Sequence, residues 1–393
     1  MNRNARDVKS GITMTLTFAD VRVMFYSVGM SHPASKLPRG TITKARAAVS
    51  NDTSRFDPYW REAVADGWDP PEDRLLRTEV SEERPRKVIT RNASPDLSFD
   101  RSINPYRGCE HGCIYCFARP SHAYLGYSPG LDFETRLIAR PSASEVLETE
   151  LRKRDYKVAP IAIGTNTDPY QPIERDYRIM RRILGVLQRY KHPVGIVTKG
   201  AMIERDIDIL EPMAQQGLVR VGISVTTLDA SLSRKLEPRA PTPARRIAAI
   251  ERLAKAGIEV RVMCSPMIPA LNDHEMEAIL TAGRDAGAVA ASYISLRLPR
   301  EVAPLFREWL QAHYPDRAAR VLGHVRGMHG GKDYDPNWGT RMTGTGPVAE
   351  LMKARFATAI KRLGLVRSLP PLRCDLFAPP PRIGDQMPLF DDL

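Results

Sequence analysis

The chain has no apolar run long enough to cross a bilayer: nowhere in its 393 residues does a window reach the roughly 18 apolar residues that a span requires. The opening segment is not expected to be a secretory leader. It carries basic residues, but Thr17, Asp20 and Arg22 interrupt its apolar stretches and no small-residue cleavage site follows. Met14, Met24 and Met30 are alternative starts, and residues 1–29 are expected to be dispensable. Cysteine is scarce and odd in number: there are five, three of them crowded between 109 and 116. That pattern excludes a secreted disulfide framework and points to a reducing cytoplasm. Lysine is sparse too, since 45 of the 58 cationic residues are Arg, the side chain suited to bidentate contact with phosphate or carboxylate. With a formal net charge of +12 the chain favours a polyanion or a phosphate-bearing substrate, although charge alone does not identify one. A content of 42% hydrophobic and 26% charged residues suits a globular chain with a sizeable core.

Residues 31–100 are rich in Arg, Asp, Pro and Ser and show no sustained periodicity apart from a short candidate helix at 58–66. They read as an extended arm, so the first unit is residues 1–100. From 101 the pattern changes. Short apolar runs at 161–166, 194–199, 219–227, 258–266 and 288–298 alternate with helical segments, and a further strand is expected near 102–106. In RDYRIMRRILGVLQRY, residues Tyr177, Met180, Ile183, Leu184 and Leu187 share one stripe while Arg178, Arg181 and Arg182 project elsewhere. AQQGLVRVG and AKAGIEV each place Gly where a helix should end before a strand. Six Val/Ile-rich strands separated by helices predict an α/β fold, a partial (β/α)6 TIM-like barrel over 101–300. A small helical and loop region (301–375) and a Pro-rich flexible tail (376–393) complete the expected organisation.

The chemistry concentrates in NPYRGCEHGCIYCFARP, where Cys109, Cys113 and Cys116 are spaced C-x3-C-x2-C directly after the first barrel strand. Three thiols within eight residues on a Gly-bounded loop are not core packing. One option is zinc, with His111 or a distant residue as fourth ligand. The other is a 4Fe-4S cluster held by three cysteines with one iron left open. A single knuckle at the top of a parallel barrel favours the cluster, because structural zinc loops usually pair two.

The C-x3-C-x2-C spacing, with Tyr115 before the third cysteine, resembles the radical SAM superfamily. The wider text NPYRGCEHGCIYCFARPSHAYLG, GTNTDPYQPIE and PMIPALND is similar to its spore photoproduct lyase-like branch over about residues 100–300. The resemblance implies a cluster whose open iron chelates S-adenosylmethionine, one-electron cleavage of that cofactor, and hydrogen abstraction from substrate by the resulting radical. It also implies a reductase such as flavodoxin or ferredoxin, and it makes DNA repair the leading context. A peptide, protein or small metabolite substrate, or a zinc-bearing nucleic-acid binder, are the alternatives.

On this resemblance Thr165, Asn166, Thr167 and Asp168 would hold the cofactor's ammonium, Lys199 and more weakly Ser224 its carboxylate, and Tyr115 and Phe117 would pack near adenine. Asp168 and Glu174 have an alternative role as caps or first-turn charges of the helix near Ile173. The branch's hydrogen-donor cysteine has no counterpart between 117 and 263, which leaves Cys264 as a weak candidate donor or a buried strand cysteine. His111 and His122 flank the loop as possible supporting donors, and Cys374 lies outside the motif. Gln386, Leu389 and Phe390 resemble the Q-x-x-L-F peptides that bind bacterial sliding clamps, with Met387 departing from the commoner pattern.

Overall fold

Alternation along the strands decides which side chains face the helices and which face the barrel interior. The computed structural model describes residues 42–57 and 76–381, all within one of the chain's two compact units. The candidate helix at 58–66, residues 1–29 and the motif Gln386, Leu389 and Phe390 lie outside the described residues.

In chain order the elements begin with β1 (Glu79–Glu82), β2 (Ile89–Arg91), β3 (Arg101–Ile103) and β4 (Tyr106–Arg107). Next come α1 (Leu131–Thr135), β5 (Arg136–Ala139), α2 (Ala143–Leu151), β6 (Ile161–Ile163), α3 (Glu174–Tyr177) and α4 (Ile179–Arg189). The alternation continues through β7 (Val194–Thr198), α5 (Ile207–Gln215), β8 (Val219–Ser224), α6 (Ala230–Leu236) and α7 (Pro243–Lys255). It closes with β9 (Val260–Met267), α8 (Met276–Asp285), β10 (Ala290–Ser295), α9 (Val302–His313), α10 (Pro315–Met328) and α11 (Gly346–Leu363).

Seven strands form the main sheet in the order β10-β9-β8-β7-β6-β3-β2, and the six from β10 to β3 run parallel. This is the expected six-unit partial barrel. On β8 and β9, residues Val219, Val221, Ile223, Val260, Val262 and Cys264 belong to the main core with Met276, Ile279 and Leu280 of α8. Packing there is close enough that a Cβ at Gly283 would meet Val262 at 2.7 Å. Arg220, Gly222 and Ser224, with Arg261, Met263 and Ser265, therefore take the opposite, interior side. The stripe of α4 is buried as its spacing predicts, Met180, Ile183, Leu184 and Leu187 being fully inaccessible. Gly217 and Gly257 both take positive φ as helix ends, as expected.

Three expectations change. The helical stretch beginning near 174 breaks at Arg178, whose left-handed φ of 49° separates α3 from α4. The N-terminal region is more than an extended arm: β2 pairs antiparallel with β3, and β1 pairs in parallel with β5 in a second sheet ordered β1-β5-β4. These strands are short and charged (EVSE and ITR), which suits an edge where only backbone groups need partners. The tail does not leave the fold at 376 either. Phe377 packs 5.6 Å from Tyr156 and 5.3 Å from His192, and the Ala378 N–H donates to Tyr190 O at 3.1 Å.

A strap joins the two sides of the open barrel. At the end of β10, Ser295 N–H donates to Met342 O at 2.9 Å, and beside Met342 the Arg341 Nε reaches Asp96, in the loop between β2 and β3, at 2.5 Å.

Candidate active site

The loop bearing Cys109, Cys113 and Cys116 leaves β4 and is folded by its own turns, Gly112 N–H donating to Cys109 O at 3.1 Å and Cys116 N–H to Cys113 O at 3.2 Å. A fully buried arginine holds it from beneath. Arg119 donates to Cys113 O and Gly112 O, each at 3.0 Å, to Pro129 O at 3.0 Å and Gly130 O at 2.9 Å, and to Glu134 Oε1 at 2.5 Å. Glu134, equally buried, also accepts from the backbone N–H groups of Ala47 and Ala48 at 3.1 and 3.0 Å. Gln171 holds the loop from the other side, accepting from Glu110 N–H at 2.8 Å and donating to Gly108 O at 3.3 Å.

Burial pushes all three thiols upward, and Lys199 opposes this at Cys113 and Cys116. Thiols in so dry a loop ionise only when a cation compensates the charge, as in a metal or iron–sulfur site. Among the described residues no three His, Cys, Asp or Glu side chains are gathered around one ion-sized point. The three thiols are nonetheless neighbours: Cys113 and Cys116 both act on the Cys109 thiol, and Cys116 packs against the apolar group that includes Cys109.

Lys199 follows β7 at the same end of the sheet. Its ammonium lies 5.7 Å from the centre of the Tyr115 ring and 4.0 Å from Glu237 Oε1. Gly164 follows β6, where a Cβ would meet Val197 O at 1.9 Å, so only glycine lets the chain approach β7 there. Beyond it Thr165 and Asn166 are half-buried. Thr167 is buried and donates to Tyr106 O at 2.8 Å. Asp168 ties β6 to β7: Oδ1 accepts from Thr198 Oγ1 at 2.6 Å and Tyr170 N–H at 2.9 Å, and Oδ2 accepts from Lys199 N–H at 2.8 Å. Burial alone would raise the Asp168 carboxyl, but His111, 3.4 Å away, and these donors hold it below the usual carboxylate range. Its oxygens thus serve the strand ends. Glu174 acts in a similar way, accepting from Met180 N–H at the start of α4, from Tyr106 OH at 2.5 Å and from Arg205 at 2.7 Å.

Of the remaining candidates, Ser224 on the interior side of β8 donates to Ser265 O at 3.0 Å. Tyr115 points inward, with its hydroxyl bonded to Glu237 and 3.1 Å from Thr226 Oγ1. Phe117 points outward, 45% exposed, with the Arg297 guanidinium 5.3 Å from its ring centre. His122 Nε2 donates to Arg136 O at 2.9 Å, and burial pushes the imidazole down to about 4, which makes it a neutral packing residue. Cys264 is a correction. It is fully buried on the side of β9 that faces α8, away from the barrel interior, and so is not placed to give hydrogen to a species at the mouth.

Sequence reasoning missed the network beneath Tyr115. Glu237 accepts from Thr226 Oγ1 at 2.6 Å and pairs with Arg246, both side chains being essentially inaccessible. Burial raises the Glu237 carboxyl, while Arg246 opposes the shift. Glu237 and Arg246 are the two ends of EPRAPTPARR, but nothing in that stretch shows that Glu237 turns inward beneath Tyr115, which comes from the cysteine loop.

Residues 103–282 match the Radical SAM superfamily. They form a radical SAM domain. An uncharacterised protein of Mycobacterium tuberculosis is 38% identical over 226 residues, 57% of this chain and 66% of that relative. The chain therefore spans a little under two thirds of that relative's length. An uncharacterised protein of Methanocaldococcus jannaschii is 24% identical over 241 residues, 61% of this chain and 85% of its own. Among solved structures, spore photoproduct lyase complexed with dinucleoside spore photoproduct covers 73% of this chain and 80% of its own with a TM-score of 0.53. At 15% identity that likeness concerns the fold.

Proposed function

We propose that the chain is a radical SAM enzyme acting on nucleic acid, with a 4Fe-4S cluster on Cys109, Cys113 and Cys116. The observation that carries this reading is the placement of three cysteines, Cys109 and Cys113 buried and Cys116 half-buried, on one braced loop at the C-terminal mouth of a parallel partial barrel, the end where such folds keep their chemistry. A single three-cysteine knuckle suits a cluster, in which each thiolate takes its own iron, better than a structural zinc, whose loops usually pair two knuckles.

The cluster and S-adenosylmethionine, when bound, supply a one-electron cleavage whose radical product abstracts hydrogen from substrate. The chain's residues bind and orient. Lys199 would pair with the cofactor's carboxylate. Thr165 and Asn166 provide polar atoms toward its ammonium, while Asp168 holds the β6 and β7 ends in register. Arg119 and Glu134 fix the loop. The nucleic-acid substrate rests on the net charge of +12, its predominance of arginine and the lyase-like fold. An external donor of the flavodoxin or ferredoxin kind would deliver the electron.

The test is anaerobic reconstitution followed by reduction in the presence of S-adenosylmethionine. A brown chromophore that bleaches on reduction, together with formation of 5′-deoxyadenosine, is expected. A colourless zinc-loaded protein that leaves the cofactor intact would overturn the assignment.

A further inference from the structure

Exposed aromatic rings are normally scattered, yet three of those among the described residues lie along one seam at the barrel mouth. The seam forms where the segment after the cysteine loop (117–124) meets the one after β10 (297–301). At its inner end Arg297 lies 5.3 Å from the Phe117 ring centre and 5.8 Å from that of Tyr334. It donates to Tyr334 OH at 3.2 Å, while its buried Nε has no partner. At the outer end Phe56 and Tyr124, 56% and 67% exposed, stand 5.1 Å apart, with Arg55 4.6 and 5.0 Å from their centres. Glu301 pairs with Arg55 and orients it, and Arg300 also reaches the Tyr124 phenol.

Rings left in water beside arginines match one kind of partner well. Bases stack on open ring faces and guanidinium groups take phosphate oxygens, so successive nucleotides can alternate between the two. A duplex cannot use the rings, because its base faces are stacked on one another and only their edges are presented. Resting on the proposed nucleic-acid reading, we infer that this seam is a track for an unpaired polynucleotide strand, with Phe56 and Tyr124 as stacking platforms and Arg297 and Arg300 as phosphate contacts leading to the mouth.

The experiment uses the reconstituted full chain and fluorescence anisotropy with a mixed-sequence single-stranded oligodeoxynucleotide, the matching oligoribonucleotide and the DNA duplex. One single strand should bind at least tenfold more tightly than the duplex, and whichever of the two binds better identifies DNA or RNA as the source. The double variant Phe56→Ala/Tyr124→Ala should weaken that binding about five- to hundredfold, the loss expected for one stacked base, with cofactor cleavage in the absence of substrate unchanged. Tyr124→Phe should retain binding, and Arg300→Ala should lower the salt slope by about 1. Equal binding by the double variant, or preference for duplex in the wild type, would overturn the track. Failure of the wild type to cleave S-adenosylmethionine would instead count against the radical reading and leave the binding result intact.

Discussion

Arg119→Met should be among the most damaging single substitutions in this chain, although Arg119 touches no cofactor. Removing the guanidinium leaves Glu134 as a fully buried carboxylate whose remaining donors are the N–H groups of Ala47 and Ala48. It also takes a donor from each of the carbonyls of Gly112, Cys113, Pro129 and Gly130, leaving Cys113 O with the Cys116 N–H. Stranding one member of a buried ion pair costs about 3–5 kcal/mol. Set against a total stability of about 5–15 kcal/mol, that is a large fraction. The individual hydrogen bonds are not added on top, since they share one side chain. Two of the freed carbonyls lie within the cysteine loop, so iron binding should fall along with stability. Urea unfolding measured with and without the cluster, with iron per chain determined in parallel, reads both effects. The double variant Arg119→Met/Glu134→Met provides the internal check. It should lose about 0.5–3 kcal/mol less than the sum of the two single variants, because no uncompensated charge remains. The reasoning fails if Arg119→Met loses less than about 1 kcal/mol and carries full iron, or if the two single losses simply add.

Lys199→Ala should spare the cluster and weaken S-adenosylmethionine binding by roughly 1.5–3 kcal/mol, as titration of the reconstituted protein would show; unchanged affinity would make Lys199 structural. Cys113→Ala should lose the cluster, whereas Cys264→Ala and Cys374→Ala should keep both iron and cofactor cleavage, with loss of iron in either of the latter pointing to a missed ligand. His192, buried with its ring nitrogens 2.7 Å from Tyr156 OH and 2.9 Å from Pro193 O, is pushed by burial from 6.5 down to about 4. The unfolded chain therefore takes up a proton between pH 6.5 and 4 that the folded chain refuses, so stability falls across that window on acidification. His192→Gln should flatten this part of the stability profile, and an unchanged slope would show that other groups set it. A peptide of residues 380–393 should bind a bacterial sliding clamp at micromolar concentration, about −8 kcal/mol, and lose binding on Leu389→Ala with Phe390→Ala; no binding at millimolar concentration removes that partner.

The cysteine trio, the βαβ rhythm and the buried stripe of α4 were legible in the sequence because each is local: spacing along the chain fixes which residues share a loop, a strand or a helix face. The same locality made Lys199 and the residues after Gly164 readable as strand-end positions. Locality also explains the misreadings. Cys264 lies on the fifth barrel strand as expected, though in the middle of β9 and not at its end, and which side of the strand it occupies depends on α8 packing against Val262. Asp168 sits on the expected turn, yet its oxygens are taken by residues about thirty positions away on β7. The Arg119–Glu134 brace, the Glu237–Arg246 network, the Asp96–Arg341 strap and the seam of Phe56, Tyr124 and Arg300 left no mark in any window. Each depends on how the folded chain turns its side chains toward one another, locally for the two buried ion pairs and across the barrel for the strap and the seam, and no residue pattern announces that.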